Sequence, residues 1–386
     1  DAVDRILDLL AAASRPAIIV GGGALSKQCA AELGAFAACT GTPVLYSGKG
    51  NGVMAADDPL NAGSAGTLAA AALGAGQPAD LVIQIGAREG LFLGGRGGVI
   101  VPHAAKRVQI DIDGAEIGRL SAPDVAVIAD GGEALAALNA AAAERTWTKP
   151  EAWSALLRQL RHAGRAAFEG APTETRPGVI HPFHAARAVA EALSPDTAIA
   201  FDGGEAVSWF QLFGRSPGPG LYVGNGYLGT LGVGQGFAMG LARARPDKPV
   251  CAIMGDGAVG FHIAEFDAMA RHGLPILTCV FNNAAWGMSL HGQELVFGRQ
   301  NLAAVRLAAS AYHTVAEGLG CRGEEITRAE DIGPAVRRAQ ASGQPTCLNI
   351  MTDPDVAHPI TAQMIGRLDA DGEIPIPYYE NIPIRR

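Results

Sequence analysis

Short apolar runs alternate with longer amphipathic stretches along this chain of 386 residues. The runs are rich in β-branched residues and end at turn residues, as expected of buried strands in a parallel sheet. Those of the first half lie at 17–20, 43–45, 81–85 and 107–112, and those of the second half at 197–201, 250–254, 276–281 and 346–350. The stretches between them have helical spacing. The pattern therefore predicts an α/β protein with two doubly wound parallel-sheet domains.

The pattern changes between the two sets of strands. We expect a first domain over residues 1–145, a helical linker over 146–178 and a second domain over 179–386. The second domain begins with a helix at Pro182, where the missing N–H of proline costs no hydrogen bond. From residue 353 onward the chain is rich in Pro, Ile and Tyr. This tail is predicted to be non-helical and extended, either packed on a surface or acting as a lid over an active site.

Composition narrows the class of protein. With 48% hydrophobic and 18% charged residues, the chain can form a large core. The net charge of -8 and the scattered basic residues argue against a nucleic-acid partner. The most apolar stretch, 62–76, consists of Ala and Gly with polar interruptions and is too short for a membrane span. Six cysteines without a CxxC pair, and no recognisable signal peptide, predict reduced thiols and a cytoplasmic location.

Polar residues follow two of the second-half strands. Asp256 lies in the turn 255–258 (GDGA) after the strand 250–254, and Asn283 follows the strand 276–281. Because the carboxyl ends of neighbouring parallel strands meet at one edge of a sheet, these residues should face one site. A carboxylate and an amide oxygen suit Mg²⁺, and the glycines let backbone N–H groups approach a phosphate. The sequence therefore predicts a magnesium diphosphate site.

This motif resembles one found in a known enzyme family. The GDG turn, followed 27 positions after Asp256 by Asn283, and the glycine-rich segment 225–234 (NGYLGTLGVG) resemble the thiamine diphosphate motif of the pyruvate oxidase and acetolactate synthase superfamily. The resemblance implies thiamine diphosphate and Mg²⁺ as cofactors. It also implies that Asp256, Asn283 and the backbone carbonyl of Ala285 are the metal ligands.

The resemblance brings further residues into the predicted site. It implies that Leu231 props the cofactor into a bent shape and that the Gly229 carbonyl accepts a hydrogen bond from its aminopyrimidine. Glu265, on the helix after the GDG turn, is predicted to organise the site, with a capping or solvent-exposed role as the alternative. His291 and Gln293 are predicted to face the substrate. The other residues predicted to bind the cofactor are Gly203, Gly204, Glu205, Gly255, Gly257, Ala258, Trp286, Gly287 and Met288.

The first half of the chain also resembles this superfamily. Segments 17–23 (AIIVGGG), 47–51 (SGKGN) and 108–117 (VQIDIDGAEI) resemble its middle domain, in which some members bind FAD, others ADP and others no nucleotide. EGLF at 89–92 replaces the acidic continuation of flavin-binding members, so we expect ADP or no ligand rather than FAD. The residues predicted to contact a nucleotide are Gly22, Gly23, Arg88, Asp111 and Asp113.

A nicotinamide-dependent dehydrogenase is a competing interpretation of the first half. Three consecutive glycines, 21–23, follow a predicted strand, as in a nucleotide-binding turn. Ser26 interrupts the G-x-G-x-x-G spacing that such a turn requires. A tight turn from strand to helix explains the glycines equally well.

The resemblance also implies a missing part of the active site. In this superfamily a glutamate on an N-terminal pyrimidine-binding domain activates the cofactor, usually from a neighbouring subunit. We recognise no such domain within these 386 residues. We therefore expect a longer parent chain or a separate chain to supply it, and we expect the isolated chain not to turn over. The resemblance also implies a homo-oligomer, because the cofactor of this superfamily lies between subunits.

The subfamily sets the expected reaction. Segment 232–238 (GVGQGFA) resembles oxalyl-CoA decarboxylase and 2-hydroxyacyl-CoA lyase, whereas Ser289 and Gly292 differ from pyruvate decarboxylases and biosynthetic acetolactate synthases. We predict a C–C bond lyase, carboligase or decarboxylase that acts on a 2-hydroxyacyl-CoA or a 2-oxo acid. The alternatives are an acetolactate synthase-like carboligase of 2-oxo acids and a non-catalytic fragment or scaffold.

Overall fold

The chain forms two compact α/β units in the computed structural model, which describes residues 1–365 except 216 and 227. Of the described residues, one unit comprises 1–166 with 218–220, and the other comprises 167–217 with 221–365. Each unit contains a six-stranded sheet in which every neighbouring pair of strands is parallel. The predicted fold class, two parallel-sheet α/β domains, is confirmed.

The first unit has the strand order β3-β2-β1-β4-β5-β6. Alternate residues of a strand point to opposite faces, so Ile18 packs into the apolar core on one face of the sheet and Ile19 into the core on the other. Its elements are α1 (Ala2–Ala12), β1 (Pro16–Val20), α2 (Lys27–Thr40), β2 (Val44–Tyr46), β3 (Asn61–Ser64), α3 (Gly66–Gly74), β4 (Leu81–Ile85), β5 (Lys106–Asp111), β6 (Val125–Ile128), α4 (Gly131–Ala142) and α5 (Glu151–Ala166).

Helix α5 lies in the segment that the sequence predicts as a linker, and it packs into the first unit. The indole N–H of Trp153 donates to the Pro16 carbonyl at 2.8 Å, and Leu157 is buried in the same core as Ile19. These contacts make α5 part of the covering layer of the first sheet. With 16 residues it is the longest described helix. Among the helices in the described ranges, none combines the length and apolarity that a bilayer span requires.

The second unit has the strand order β10-β9-β11-β12-β14-β13. The chain leaves β9 toward β10 on one side and returns to β11 on the other, which creates a crevice at the carboxyl ends of β9 and β11. Its elements are β7 (Glu174–Arg176), β8 (Val179–Ile180), α6 (Pro182–Ala192), β9 (Ala198–Asp202), α7 (Glu205–Gln211), β10 (Tyr222–Gly224), α8 (Gly234–Ala244), β11 (Val250–Gly255), α9 (Asp256–Phe261), α10 (Glu265–Arg271), β12 (Ile276–Asn282), α11 (Gly287–Phe297), α12 (Tyr312–Gly318), β13 (Arg322–Ile326), α13 (Ala329–Ser342), β14 (Thr346–Met351) and α14 (Pro359–Ile365).

Helix α14 corrects one expectation about the tail. The sequence predicts no helix beyond residue 353, but residues 359–365 are helical. Pro359 is the first residue of α14, where its missing N–H breaks no helical hydrogen bond, and no further proline follows until residue 375. The proline-rich part of the tail and the predicted lid lie outside the described residues.

Candidate functional site

Three loops meet at the crevice of the second sheet. They are 203–204 after β9, the junction 255–257 between β11 and α9, and 283–286 after β12, and these three strands are neighbours in the sheet. Gly203 has a φ of 118°, and a Cβ there would lie 3.2 Å from the Gly255 nitrogen. Only glycine adopts that backbone conformation without strain. The fold therefore brings the predicted cofactor-binding loops to one edge of the sheet.

Both side chains predicted to bind the metal converge on one backbone N–H. The Ala285 amide donates to Asp256 Oδ2 at 3.2 Å and to Asn283 Oδ1 at 3.2 Å. Asp256 Oδ1 accepts a further hydrogen bond from the Gly257 N–H at 2.9 Å. Ala284 has a φ of 51°, a left-handed turn that directs the next amide toward these oxygens. The carboxylate and amide oxygens therefore lie together at the end of β11.

The electrostatics of Asp256 fit a bound cation. The residue is only 2% exposed. Burial raises the pKa of Asp256 to about 6, although the Gly257 and Ala285 N–H groups favour the ionised form. A metal ion at the carboxylate would remove the cost of burying this charge.

The donor set also fits Mg²⁺. Magnesium prefers oxygen ligands and takes few of them from the protein, so a carboxylate, an amide oxygen and a backbone carbonyl suffice. In residues 1–365 apart from 216 and 227, no three His, Cys, Asp or Glu side chains are grouped to hold a metal. A metal in this part of the chain would therefore rely on mixed donors such as those of Asp256 and Asn283.

Glycines allow the loops to pack closely. A Cβ at Gly257 would lie 2.4 Å from the Trp286 ring, and one at Gly204 would lie 3.0 Å from Met288 Cβ. A Cβ at Gly287 would meet the Asn283 amide nitrogen at 2.9 Å. These distances are shorter than atoms tolerate without movement. The predicted cofactor-binding residues on the β9, β11 and β12 loops thus form one contiguous surface, of which Ala258 is a buried part.

The glycine-rich segment before α8 carries the predicted prop. Leu231 is half-buried and packs against the core that α8 covers. Gly229 has a φ of 63°, and the space where its Cβ would stand contains no atom within 4 Å. Asp202 Oδ2 accepts a hydrogen bond from the Gly234 N–H at 2.8 Å, and Asp202 is fully buried. Asp202 therefore holds the end of this segment at the carboxyl end of β9.

Asp202 is a site residue that sequence reasoning missed. Burial raises its pKa, while backbone N–H groups of Gly234, Gly232, Gly203 and Val233 stabilise its charge. Its other oxygen, Oδ1, is buried with no hydrogen-bond partner in the described structure. The available signal was its position, a lone carboxylate directly before the double glycine 203–204.

The two residues predicted to face the substrate make hydrogen bonds within the protein. Both ring nitrogens of the buried His291 face acceptors, Glu205 Oε2 at 2.7 Å and the Pro354 carbonyl at 2.9 Å. The Gln293 amide exchanges hydrogen bonds with the backbone of Ala303, at 3.2 and 2.9 Å. Their contact with a substrate stays a prediction.

Glu265 and Glu205, two further predicted site residues, have different surroundings in the structure. Glu265 is the first residue of α10, and its half-buried side chain makes no hydrogen bond or ion pair with another described residue. Its organising role stays a prediction. Glu205 is buried at the start of α7, where it bonds His291 rather than facing open space.

The predicted nucleotide residues share the carboxyl edge of the first sheet. They lie after β1, after β4 and at the end of β5, three strands that are consecutive in the sheet. Arg88 Nε lies 3.4 Å from Glu116 Oε2. Asp111 and Asp113 accept hydrogen bonds from backbone N–H groups two residues ahead, at 3.0 and 2.9 Å, so both stabilise turns. Gly22 and Gly23 are exposed in the turn after β1. Nucleotide binding at this edge stays a prediction.

Comparison with known proteins identifies both units. Residues 202–350 match the family model of the thiamine pyrophosphate enzyme C-terminal TPP binding domain, and residues 3–138 match that of the thiamine pyrophosphate enzyme central domain. The first model spans the loops that carry Asp256 and Asn283. Thiamine pyrophosphate is another name for thiamine diphosphate.

Similar proteins include acetolactate synthases and 2-hydroxyacyl-CoA lyases. A probable acetolactate synthase of Mycobacterium bovis is 31% identical over 93% of this chain and 63% of its own length. A 2-hydroxyacyl-CoA lyase 2 of Danio rerio is 29% identical over 91% of this chain and 56% of its own length, and that of Homo sapiens is 29% identical over 97% and 57%. The chain thus spans somewhat more than half the length of these curated relatives. It belongs to the thiamine pyrophosphate enzymes, of which it contains the central domain and the C-terminal TPP-binding domain.

Proposed function

We propose that this chain forms the central and cofactor-binding part of a thiamine diphosphate- and Mg²⁺-dependent enzyme that breaks or forms a C–C bond beside a carbonyl group. The observation that carries the proposal is the convergence of Asp256 Oδ2 and Asn283 Oδ1 on the Ala285 N–H. When bound, the cofactor would supply an electron sink for the bond that breaks.

Each part of the site has a role in this proposal. Asp256, Asn283 and the Ala285 carbonyl would hold the metal, and the N-terminus of α11 would favour the negative diphosphate. Leu231 would contact the cofactor from the segment that Asp202 anchors. The Gly229 carbonyl would accept a hydrogen bond from the aminopyrimidine.

The substrate in this proposal is a 2-hydroxyacyl-CoA or a 2-oxo acid. The names of the relatives support both candidates, because the chain is similarly identical to a 2-hydroxyacyl-CoA lyase and to an acetolactate synthase. An acetolactate synthase-like carboligase is therefore the second candidate. ADP in the first unit is a further proposal, supported by the shared edge of Gly22, Gly23 and Arg88. A nicotinamide dehydrogenase is not favoured, because both family models describe thiamine pyrophosphate enzymes.

Turnover requires a further domain in this proposal. The relatives are longer than the matched part, and a pyrimidine-binding domain with its activating glutamate would come from outside the matched residues. Apolar side chains are exposed in the same unit, including Leu228 at 85% and Phe261 at 58%. The ring centroid of Phe261 lies 5.7 Å from that of Trp286. Trp286 belongs to the loop 283–286 after β12, named here the metal loop because it carries Asn283 and Ala285. A partner domain or a second subunit that covers these side chains would reduce their exposure to water.

Calorimetry with thiamine diphosphate and Mg²⁺ tests the cofactor assignment. We expect binding that requires Mg²⁺ and that falls at least about 100-fold in Asp256→Ala, since even indirect changes around a metal cost about 10- to 100-fold. Asp247→Ala, at an exposed ion pair with Arg245, is the matched control and should bind as the unaltered chain does. Equal binding by Asp256→Ala would contradict the proposed site.

A pair of assays then separates the candidate reactions. Cleavage of a 2-hydroxyacyl-CoA and joining of two 2-oxo acids are measured with and without an added pyrimidine-binding domain. Activity on the thioester alone supports the lyase, and CoA-independent joining supports the second candidate. Cofactor binding without either reaction in the completed assembly would favour a scaffold.

A further inference from the structure

A buried ion pair joins two helices beside the metal loop. Glu205, at the start of α7, and His291, on α11, are 5% and 4% exposed, and Glu205 Oε2 lies 2.7 Å from His291 Nδ1. The second ring nitrogen of His291 donates to the Pro354 carbonyl at 2.9 Å. Acceptor oxygens at both nitrogens favour the doubly protonated, positively charged form of the ring. Burial opposes that charge, but the hydrogen bond and charge of Glu205 raise the pKa of His291 above its ordinary value.

The same carboxylate reaches a third element. Glu205 Oε1 accepts a hydrogen bond from the hydroxyl of Thr361, a fully buried residue of α14. His291 binds the same part of the chain at Pro354. Glu205 and His291 together therefore hold residues 352–361, named here the C-terminal segment, against α7 and α11. The ring of His358 adds an edge-on contact with Trp209 of α7, with centroids 4.5 Å apart.

The ion pair also borders the metal loop. A Cβ at Gly287 would lie 2.9 Å from the Asn283 amide nitrogen and 3.4 Å from Glu205 Oε2, so the two side chains flank this glycine. Gly287 is the first residue of α11, an 11-residue helix whose N-terminus attracts negative charge. An unpaired carboxylate here would compete with an anionic ligand. His291 cancels that charge inside the protein.

We propose that Glu205 and His291 are positioning residues that couple the C-terminal segment to the cofactor site. The pair fixes the position of the α11 N-terminus and of Asn283. The hydrogen bond from Thr361 to Glu205 makes that position depend on how α14 packs. The coupling to cofactor rests on the proposed function, whereas the link between the pair and the C-terminal segment does not. Neither residue needs to touch the substrate.

Hydrogen exchange without cofactor tests the link to the C-terminal segment. We expect amides of residues 352–361 to exchange about tenfold faster in His291→Gln, because removal of one partner leaves a buried charge unpaired. Thr361→Val keeps the shape of its side chain and removes only the hydroxyl, so it should fold and should exchange faster in the same segment. His272→Gln, at an exposed histidine after α10, is the control and should leave this segment unchanged. Unchanged protection in both test variants would overturn the link.

Affinity for thiamine diphosphate with Mg²⁺ tests the coupling. His291→Gln should weaken binding about tenfold, and Glu205→Gln combined with His291→Gln should recover most of that loss, because two neutral amides leave no unpaired charge. A purely structural role predicts that folded His291→Gln binds the cofactor as the unaltered chain does. That result would overturn the proposal, and so would weakened binding that the double variant does not recover. So would a Thr361→Val variant that exchanges faster but binds cofactor as before. If the unaltered chain binds no cofactor, the proposed function fails, while the exchange result still decides the link.

Discussion

The Gly234 N–H donates to Asp202 Oδ2 at 2.8 Å, which ties the first turn of α8 to the end of β9. The segment fixed by this bond contains Leu231, the residue predicted to prop the cofactor. Asp202 is fully buried, so no water replaces its oxygen if the side chain is removed. One hydrogen bond thus links the stability of the second unit to the shape of the cofactor site.

We expect Asp202→Ala to destabilise the chain by about 1–3 kcal/mol, the cost of leaving a buried donor unpaired. Asp202→Asn keeps one acceptor oxygen and should lose less. Urea unfolding measures both, and hydrogen exchange at residues 229–234 localises the effect. Asp247→Ala is the exposed control. If Asp202→Ala unfolds at the same urea concentration as the control, the bond does not anchor the segment.

The pKa of Asp256 makes stability depend on pH in the absence of metal. The folded value is about 6, and the ordinary value is 3.8. Between these values the folded chain holds a proton that the unfolded chain releases, so the contribution of Asp256 to stability falls as pH rises. Above about pH 6 the full cost, about 3 kcal/mol, is present.

Asp256→Asn should remove this pH dependence. In EDTA, the stability of the variant relative to the unaltered chain should increase by about 2–2.5 kcal/mol between pH 4 and pH 7, since part of the change has already occurred by pH 4. Thermal unfolding across this range measures the free energy of unfolding of both chains. The other carboxylates titrate in both, so their contributions cancel when the two values are subtracted. A difference independent of pH would contradict the burial of Asp256 as an ion. The same variant should lose binding of Mg²⁺, so stability and function oppose each other at this residue.

Gly257 and Gly240 provide a matched comparison of two glycines. A Cβ at Gly257 would lie 2.4 Å from the Trp286 ring, whereas one at Gly240, within α8, would meet no atom within 4 Å. We expect Gly257→Ala to destabilise the chain by about 1–3 kcal/mol through overpacking. Gly240→Ala should stabilise it by about 0.5–1 kcal/mol, as alanine favours a helix interior. Urea unfolding of both variants checks the signs, and a stable Gly257→Ala would mean that the Trp286 ring moves freely.

The fold and the convergence of Asp256 and Asn283 were predictable because they depend on local patterns. Alternating strands and helices predict the parallel sheets, and the strand ends place Asp256 and Asn283 at one edge. The pair Glu205 and His291 is separated by 86 positions, and no periodicity relates them. Their partners are chosen by the packing of α7 against α11, which requires the three-dimensional structure. For Asp202 the position before the double glycine was visible in the sequence, but its hydrogen-bond partner, Gly234, lies 32 positions away and was not.

Stability should also depend on pH through His358, with a sign opposite to that of Asp256. Burial lowers the pKa of His358 to about 4 from 6.5, so the ring is neutral in the folded chain. As pH falls below 6.5 the unfolded chain binds a proton first, and stability is lost until about pH 4, by about 3 kcal/mol in total. The C-terminal segment should therefore leave Trp209 in acid before the rest of the unit unfolds, because the charged ring cannot stay buried beside the indole. Tryptophan fluorescence between pH 7 and pH 4 follows this step. His358→Phe keeps the aromatic contact without a titrating group and should abolish it, whereas His272→Gln should not, and a transition that persists in His358→Phe would assign it to another residue.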